Sequence, residues 1–230
     1  MEKSKLEKLF FLYTALIFSY LLLPLILLFF KSKRKDSVMI LLAAYGIFAF
    51  AFLFVEKIPV RLQFLYAVTY TSIEYLFFTA LLFMNIQSKS LRKIMVVLSL
   101  GFLIFQIIFF FRGTLGRIDS IPVGIESILL FSYVFFFFYE IMRNPNQTSF
   151  SGHPCFWIAI GIMVYLGGSF FLYILANELP EKEYNKYWFV TYIAEIAKNL
   201  LFCVAMIMYV PKKNNSSTLS RNSDTIPHLI

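Results

Sequence analysis

A chain of 230 residues that is 60% hydrophobic and 20% aromatic, with 15% charged residues, excludes an ordinary soluble domain, because such domains are about a quarter charged. Its formal net charge of +8 is spread over the segments between apolar runs, which excludes a nucleic-acid footprint. Two cysteines, Cys155 and Cys203, suggest neither a disulfide framework nor a metal site.

Taken in chain order, seven apolar runs are long enough to cross about 30 Å of hydrocarbon as helices. They fall near residues 9–30, 37–55, 63–84, 93–111, 121–142, 155–176 and 187–210. The fold class is therefore all-α, a polytopic membrane protein with a seven-helix domain over residues 1–210. Residues 211–230 are polar and rich in Ser and Asn, a composition that predicts a disordered cytoplasmic tail. The first run exceeds the roughly 7–15 residues of a signal h-region and no small-residue cleavage site follows it, so it reads as a retained helix.

The connections are too short for a soluble catalytic domain. The chain carries no Gly-rich phosphate loop, no HExxH and no nucleophile elbow, so it does not read as an enzyme. Lys31, Lys33, Arg34 and Lys35 follow the first run; Lys89, Arg92 and Lys93 follow the third; Lys212 and Lys213 follow the seventh. The opposite connections hold Glu56, Asp119, Glu178, Glu181 and Glu183. The positive-inside rule then sets the N-terminus outside and the C-terminus in the cytoplasm of a cell, with a bacterial inner membrane expected.

The chemistry concentrates in two runs. Glu74 lies at the centre of the third and Lys198 at the centre of the seventh. A charge at that depth costs at least about 2.5–3.5 kcal/mol on insertion scales, so each needs a partner, and the two have opposite signs. Tyr66, Tyr70 and Glu74 recur every four residues on one helical face, and Thr191, Glu195, Lys198 and Asn199 share another. Glu195 is a second candidate partner for Lys198. In the fifth run Glu126 lies outward of the centre, with Tyr133 two turns further along. Three carboxylates against one ammonium leave the interior formally negative, so a proton on one carboxylate or a bound cation is expected. The candidate ligand or ion site is thus Glu74, Lys198, Glu195, Tyr70, Glu126, Asn199 and Tyr192, between the third, fifth and seventh runs. A satisfied ion-pair network that fixes helix register is the bland alternative.

Other polar residues read structurally. Gly161, Tyr165, Gly168 and Ser169 predict close helix packing in the sixth run. Gln106 predicts an interhelical hydrogen bond, and Glu140 a local pair with Arg143. Trp157 and Trp188 read as interface anchors.

Short similarities relate the first three runs to the last three. Phe18-Ser19-Tyr20 matches Phe131-Ser132-Tyr133, Tyr45 falls on Tyr165, and Val68-Thr69-Tyr70 matches Val190-Thr191-Tyr192. A shift of two residues past the last match sets Glu74 on Lys198. The fourth run would then be an unpaired linker in a parallel three-plus-one-plus-three repeat.

Seven helices with a mid-membrane lysine in the last and a carboxylate in the third resemble the microbial rhodopsins. That resemblance implies retinal bound as a Schiff base on Lys198, Glu74 as counterion and Glu195 as the acid of the last helix. The stretch from Glu74 to Thr79 resembles that family's third helix. The chain departs from the family in the spacing of Glu195 from Lys198 and in lacking Trp and Pro in the middle of the sixth run. The repeat resembles small three-plus-one-plus-three carriers, and Phe156-Trp157 with Lys198-Asn199 is similar to uncharacterised bacterial seven-helix proteins. From the residues alone no cofactor is expected. The function expected is sensing or binding a small ligand or ion in the bilayer, with a separate membrane or cytoplasmic signalling partner. A small-solute or proton-coupled transporter is the alternative.

Overall fold

The computed structural model describes positions between 9 and 26 in part, then residues 36–55, 60–112, 120–143, 152–175, 178–180, 183 and 187–209, with the side chains of 53–67 and 112 left aside. The tail 211–230 and the basic cluster at 31–35 lie outside the described residues, as does the Tyr66 side chain. Every regular element among the described residues is an α-helix. They are α1 (Ser37–Val55), α2 (Val60–Asn85), α3 (Lys89–Arg112), α4 (Ser120–Arg143), α5 (Pro154–Leu175) and α6 (Phe189–Tyr209). The described positions within 9–26 are helical too and pack against α1 and α6.

Four of these helices are long and apolar enough to cross a membrane: α4, α5, α6 and the Lys89–Phe111 stretch of α3. A shorter apolar stretch, Ser37–Phe52, makes up most of α1.

Local chemistry sets the helix ends. Asp36 caps α1, its Oδ1 accepting the Val38 N–H at 3.0 Å. Pro154 occupies the first position of α5, where its missing N–H costs no hydrogen bond, and the His153 carbonyl accepts the Phe156 N–H at 3.0 Å. The turn between α2 and α3 is held from another helix. Glu140 of α4 does not pair with Arg143, as sequence spacing had suggested. Its Oε1 accepts the Gln87 and Ser88 N–H groups at 2.7 and 3.0 Å. A carboxylate at the start of α3 satisfies orphan amides and meets the positive end of the helix dipole, which outweighs an exposed pair to Arg143.

The helices alternate in direction. The Cys155 thiol, at the start of α5, donates to Asn85 Oδ1 at the end of α2, 2.6 Å away, and lies 2.9 Å from the Tyr209 hydroxyl at the end of α6. Glu140 brings the end of α4 and the start of α3 to the same pole. Thus α2, α4 and α6 run one way, and α3 and α5 the other.

Burial follows helical periodicity. On α6 the buried residues are Thr191, Ala194, Glu195, Lys198, Asn199, Phe202, Ala205 and Met206, a stripe at spacings of three and four. Small residues let α5 press against it. A Cβ on Gly168 would stand 2.8 Å from the Ala194 Cβ, and one on Gly161 would stand 2.9 Å from the Phe202 ring. Helix α3 is the outermost. It turns Met95, Phe102 and Gln106 inward and leaves Val97, Leu100, Ile104, Ile107 and Phe111 exposed, the pattern of a helix with one face on protein and the rest on lipid.

Candidate functional site

The two central charges meet. Lys198 is fully enclosed, and its Nζ lies 2.7 Å from Glu195 Oε1, 3.5 Å from Glu74 Oε1 and 2.5 Å from the Tyr45 hydroxyl. The Tyr165 ring centroid is 4.0 Å from the ammonium, with Tyr45 at 5.0 Å and Phe78 at 5.2 Å, so aromatic faces complete the enclosure. The nearer acid is Glu195, one turn away on α6 itself, and Glu74 is the second.

Glu74 has a richer set of donors than its ion pair alone. Oε1 accepts the Tyr45 hydroxyl at 2.8 Å and the Tyr70 hydroxyl at 3.1 Å, and Oε2 accepts Tyr165 at 3.0 Å. A carboxylate offers about four lone-pair sites; two hydroxyls and the ammonium meet Oε1, and one hydroxyl meets Oε2. The centre of the bundle is thus a closed network joining α1, α2, α5 and α6.

An aromatic wall surrounds it. Tyr20, Tyr45, Phe78 and Phe202 are all almost entirely buried, and their rings lie 5.2–6.2 Å apart. The Tyr20 ring sits on Gly46, where a Cβ would come within 2.6 Å of it. This apolar wall excludes water and strengthens each electrostatic contact inside.

The seven residues expected to form the site separate into three groups. Glu74, Lys198, Glu195 and Tyr70 belong to one network, with Asn199 buried beside them, one turn from Glu195. Tyr192 makes a tilted ring contact with Tyr13 and an edge-on one with Trp188 toward the start of α6, at 5.5 and 6.5 Å between rings. Glu126 is buried on α4 and interacts electrostatically with both Glu74 and Lys198. Among the described residues no hydrogen bond or ion pair reaches it.

Tyr45 and Tyr165 were not counted in the site on sequence grounds, yet both bind Glu74. The signal that could have found them was the internal repeat, which sets Tyr45 on Tyr165. Each donates to a different oxygen of one carboxylate.

A second polar cluster lies between α2, α3 and α4. The Tyr75 hydroxyl is 2.7 Å from Ser99 Oγ and 3.0 Å from the Tyr133 hydroxyl, and Tyr133 donates to the Met95 carbonyl at 3.2 Å. Farther along, Gln106 Nε2 donates to the Val68 carbonyl at 3.3 Å, the interhelical bond expected of it.

Among the described residues no group of three or more His, Cys, Asp or Glu side chains converges as metal ligands. Comparison with protein families, with curated proteins and with solved structures gives no match, so the functional reading stands on this geometry.

Proposed function

We propose that this is a seven-span integral protein of a cell membrane, with its N-terminus outside, that binds a small cation or cationic ligand inside the bundle. Occupancy is reported to a separate partner. One observation carries the reading: among the described residues Glu74, Glu126 and Glu195 are buried in the bundle together with one buried ammonium, Lys198. The ammonium is already shared by Glu74 and Glu195, and among the described residues no ion pair reaches Glu126. Uncompensated buried charge is expensive, and a bound cation is the direct way to offset it.

The orientation reading draws support from the shared pole of Asn85, Cys155, Tyr209 and the start of α3, since the sequence places its basic connections there. In this reading the bundle sits in a bacterial inner membrane with its polar tail in the cytoplasm.

A carrier is the second reading, and the paired tyrosines favour it. Tyr45 and Tyr165 grip the two oxygens of Glu74, and Glu74 and Lys198 meet from parallel helices at one depth. That is the arrangement expected of a parallel repeat with its substrate site on the pseudo-symmetry axis. Retinal on Lys198 draws no support from this packing, because Glu195, Tyr45 and the Tyr165 ring already enclose the amine.

Reconstitution tests the proposal. Saturable binding of a small inorganic cation or primary amine to protein in nanodiscs, without uptake into proteoliposomes, is expected for a sensor. Accumulation of the same solute inside proteoliposomes would move the assignment to a carrier. Neither binding nor flux across a cation and amine panel would leave the charges as a structural network.

A further inference from the structure

Seven residues on a helix bring a side chain back to nearly the same face, about 10.5 Å along the axis. From the cluster of Tyr75, Ser99 and Tyr133, that step away from the α2/α6 pole leads to Val68 on α2, Gln106 on α3 and Glu126 on α4. Because α3 runs opposite to α2 and α4, all three fall at one depth. The Gln106–Val68 hydrogen bond shows that this register holds between α2 and α3.

The layer contains two buried side chains, Gln106 and Glu126, whose oxygens meet no hydrogen-bond donor among the described residues. Gln106 is 2% exposed, and its Oε1 is buried with no hydrogen-bond partner. Its orientation is fixed, since Nε2 must face the Val68 carbonyl, which can only accept. Oε1 therefore turns away from the α2 backbone. Glu126 is 4% exposed and, among the described residues, unpaired. Thr71, one turn from Val68 on the same side of α2, adds a buried hydroxyl. By this register the Gln106 amide oxygen and the Glu126 carboxyl share one layer, and with Glu126 ionised both are acceptors that cannot satisfy each other. A donor or a cation between them can.

Resting on the proposed function above, we infer that Glu126, with the Gln106 amide oxygen and the Thr71 hydroxyl, forms a site for one small monovalent hard cation such as sodium. The ligand atoms are all oxygens, which select hard cations over soft ones. A single carboxylate supplies the charge, which suits a monovalent ion. Calcium takes six to eight oxygens at its sites, usually from several acids. The site is distinct from the Glu74–Lys198 network, whose ammonium protons are already used by Tyr45, Glu74 and Glu195. It couples to that network through charge, because Glu126 interacts electrostatically with both of its central residues. Filling it would relax the like-charge repulsion on Glu74, and so alter the grip of the three tyrosines that join α1, α2 and α5.

The test uses the full chain in nanodiscs, with radioactive sodium binding and thermal melting in sodium, lithium, potassium or N-methylglucamine at fixed pH and ionic strength. Wild type is expected to bind sodium saturably and to melt higher as sodium rises, as linkage requires for a ligand held by the folded state alone. Glu126→Gln is expected to lose both responses, with apparent affinity reduced at least about tenfold, while melting no lower than wild type in N-methylglucamine. Gln106→Leu is expected to weaken binding in the same direction. Sodium binding kept in Glu126→Gln would overturn the placement while retaining a cation-binding protein. No cation response in folded wild type would overturn both the site and the proposed function. A melting shift with pH alone, removed by Glu126→Gln, would make the compensating charge a proton and overturn the inference.

Discussion

Replacing Lys198 with Met removes the one ammonium in the central network and leaves two buried carboxylates facing its place. Glu74 keeps three hydroxyl donors at 2.8, 3.1 and 3.0 Å, whereas Glu195 loses its contact at 2.7 Å. Removing one member of a buried pair costs about 3–5 kcal/mol, because the other charge is left uncompensated. For a chain of this length each kcal/mol is worth about 2–4 °C in melting temperature, so Lys198→Met is expected to melt about 6–20 °C lower. Glu74→Gln should cost less, about 1–3 kcal/mol, since the ammonium keeps Glu195 and Tyr45 and the amide still accepts from a hydroxyl. Double-mutant cycles then separate the two pairs. Lys198 should couple more strongly to Glu195 than to Glu74, in keeping with 2.7 against 3.5 Å and with the extra donors on Glu74. The assay is intrinsic-fluorescence melting in detergent for the single variants and both doubles. A Lys198→Met protein that melts at or above wild type would refute the reasoning. It would mean that the charges are held at a net cost to stability, as functional sites often are. Equal couplings to the two acids would refute the ranking.

The tyrosines should rank by their contacts: Tyr45→Phe is expected to destabilise most, because it deprives both Glu74 and Lys198, then Tyr165→Phe, then the half-buried Tyr70→Phe. Each loses about 1.5–3 kcal/mol or less, the range for a hydrogen bond to a charged group, and a different order in melting would contradict the geometry. Gly168→Ala should cost about 1–3 kcal/mol by forcing α5 off Ala194, while Gly101→Ala, with nothing within 4 Å of an added Cβ, should be neutral or stabilising; paired melts decide. His153 lies outside the spans, at the start of α5, and burial holds its imidazole below the ordinary value of 6.5. The folded state then binds fewer protons than the unfolded chain as pH falls below 6.5, so this contribution to stability is complete above that value and is lost on acidification. His153→Gln should flatten the melting temperature below pH 6.5, and an unchanged slope there would exclude the histidine as its source.

The sequence alone determined the helical class and the four runs long and apolar enough to cross a membrane, since such runs broken by charged connections admit little else. It also determined which charges are costly, because Glu74 and Lys198 stand in the middle of such runs and have to find partners. Periodicity placed Tyr70 and Glu195 on the same faces as those charges. Periodicity within one helix does not say which neighbour a face meets. Only the tertiary structure decided that Glu195, not Glu74, is the nearer acid to Lys198. It likewise brought Tyr45 and Tyr165 to Glu74 and turned Tyr192 toward Tyr13 and Trp188. Glu140 shows the same limit: sequence offers Arg143 one turn away, but packing offers two orphan amides on another helix, and the amides win because an exposed ion pair is worth little. Glu126 was legible as a buried charge. That no described residue pairs with it, at the depth of an unsatisfied Gln106 oxygen, follows from the way three helices of different direction align.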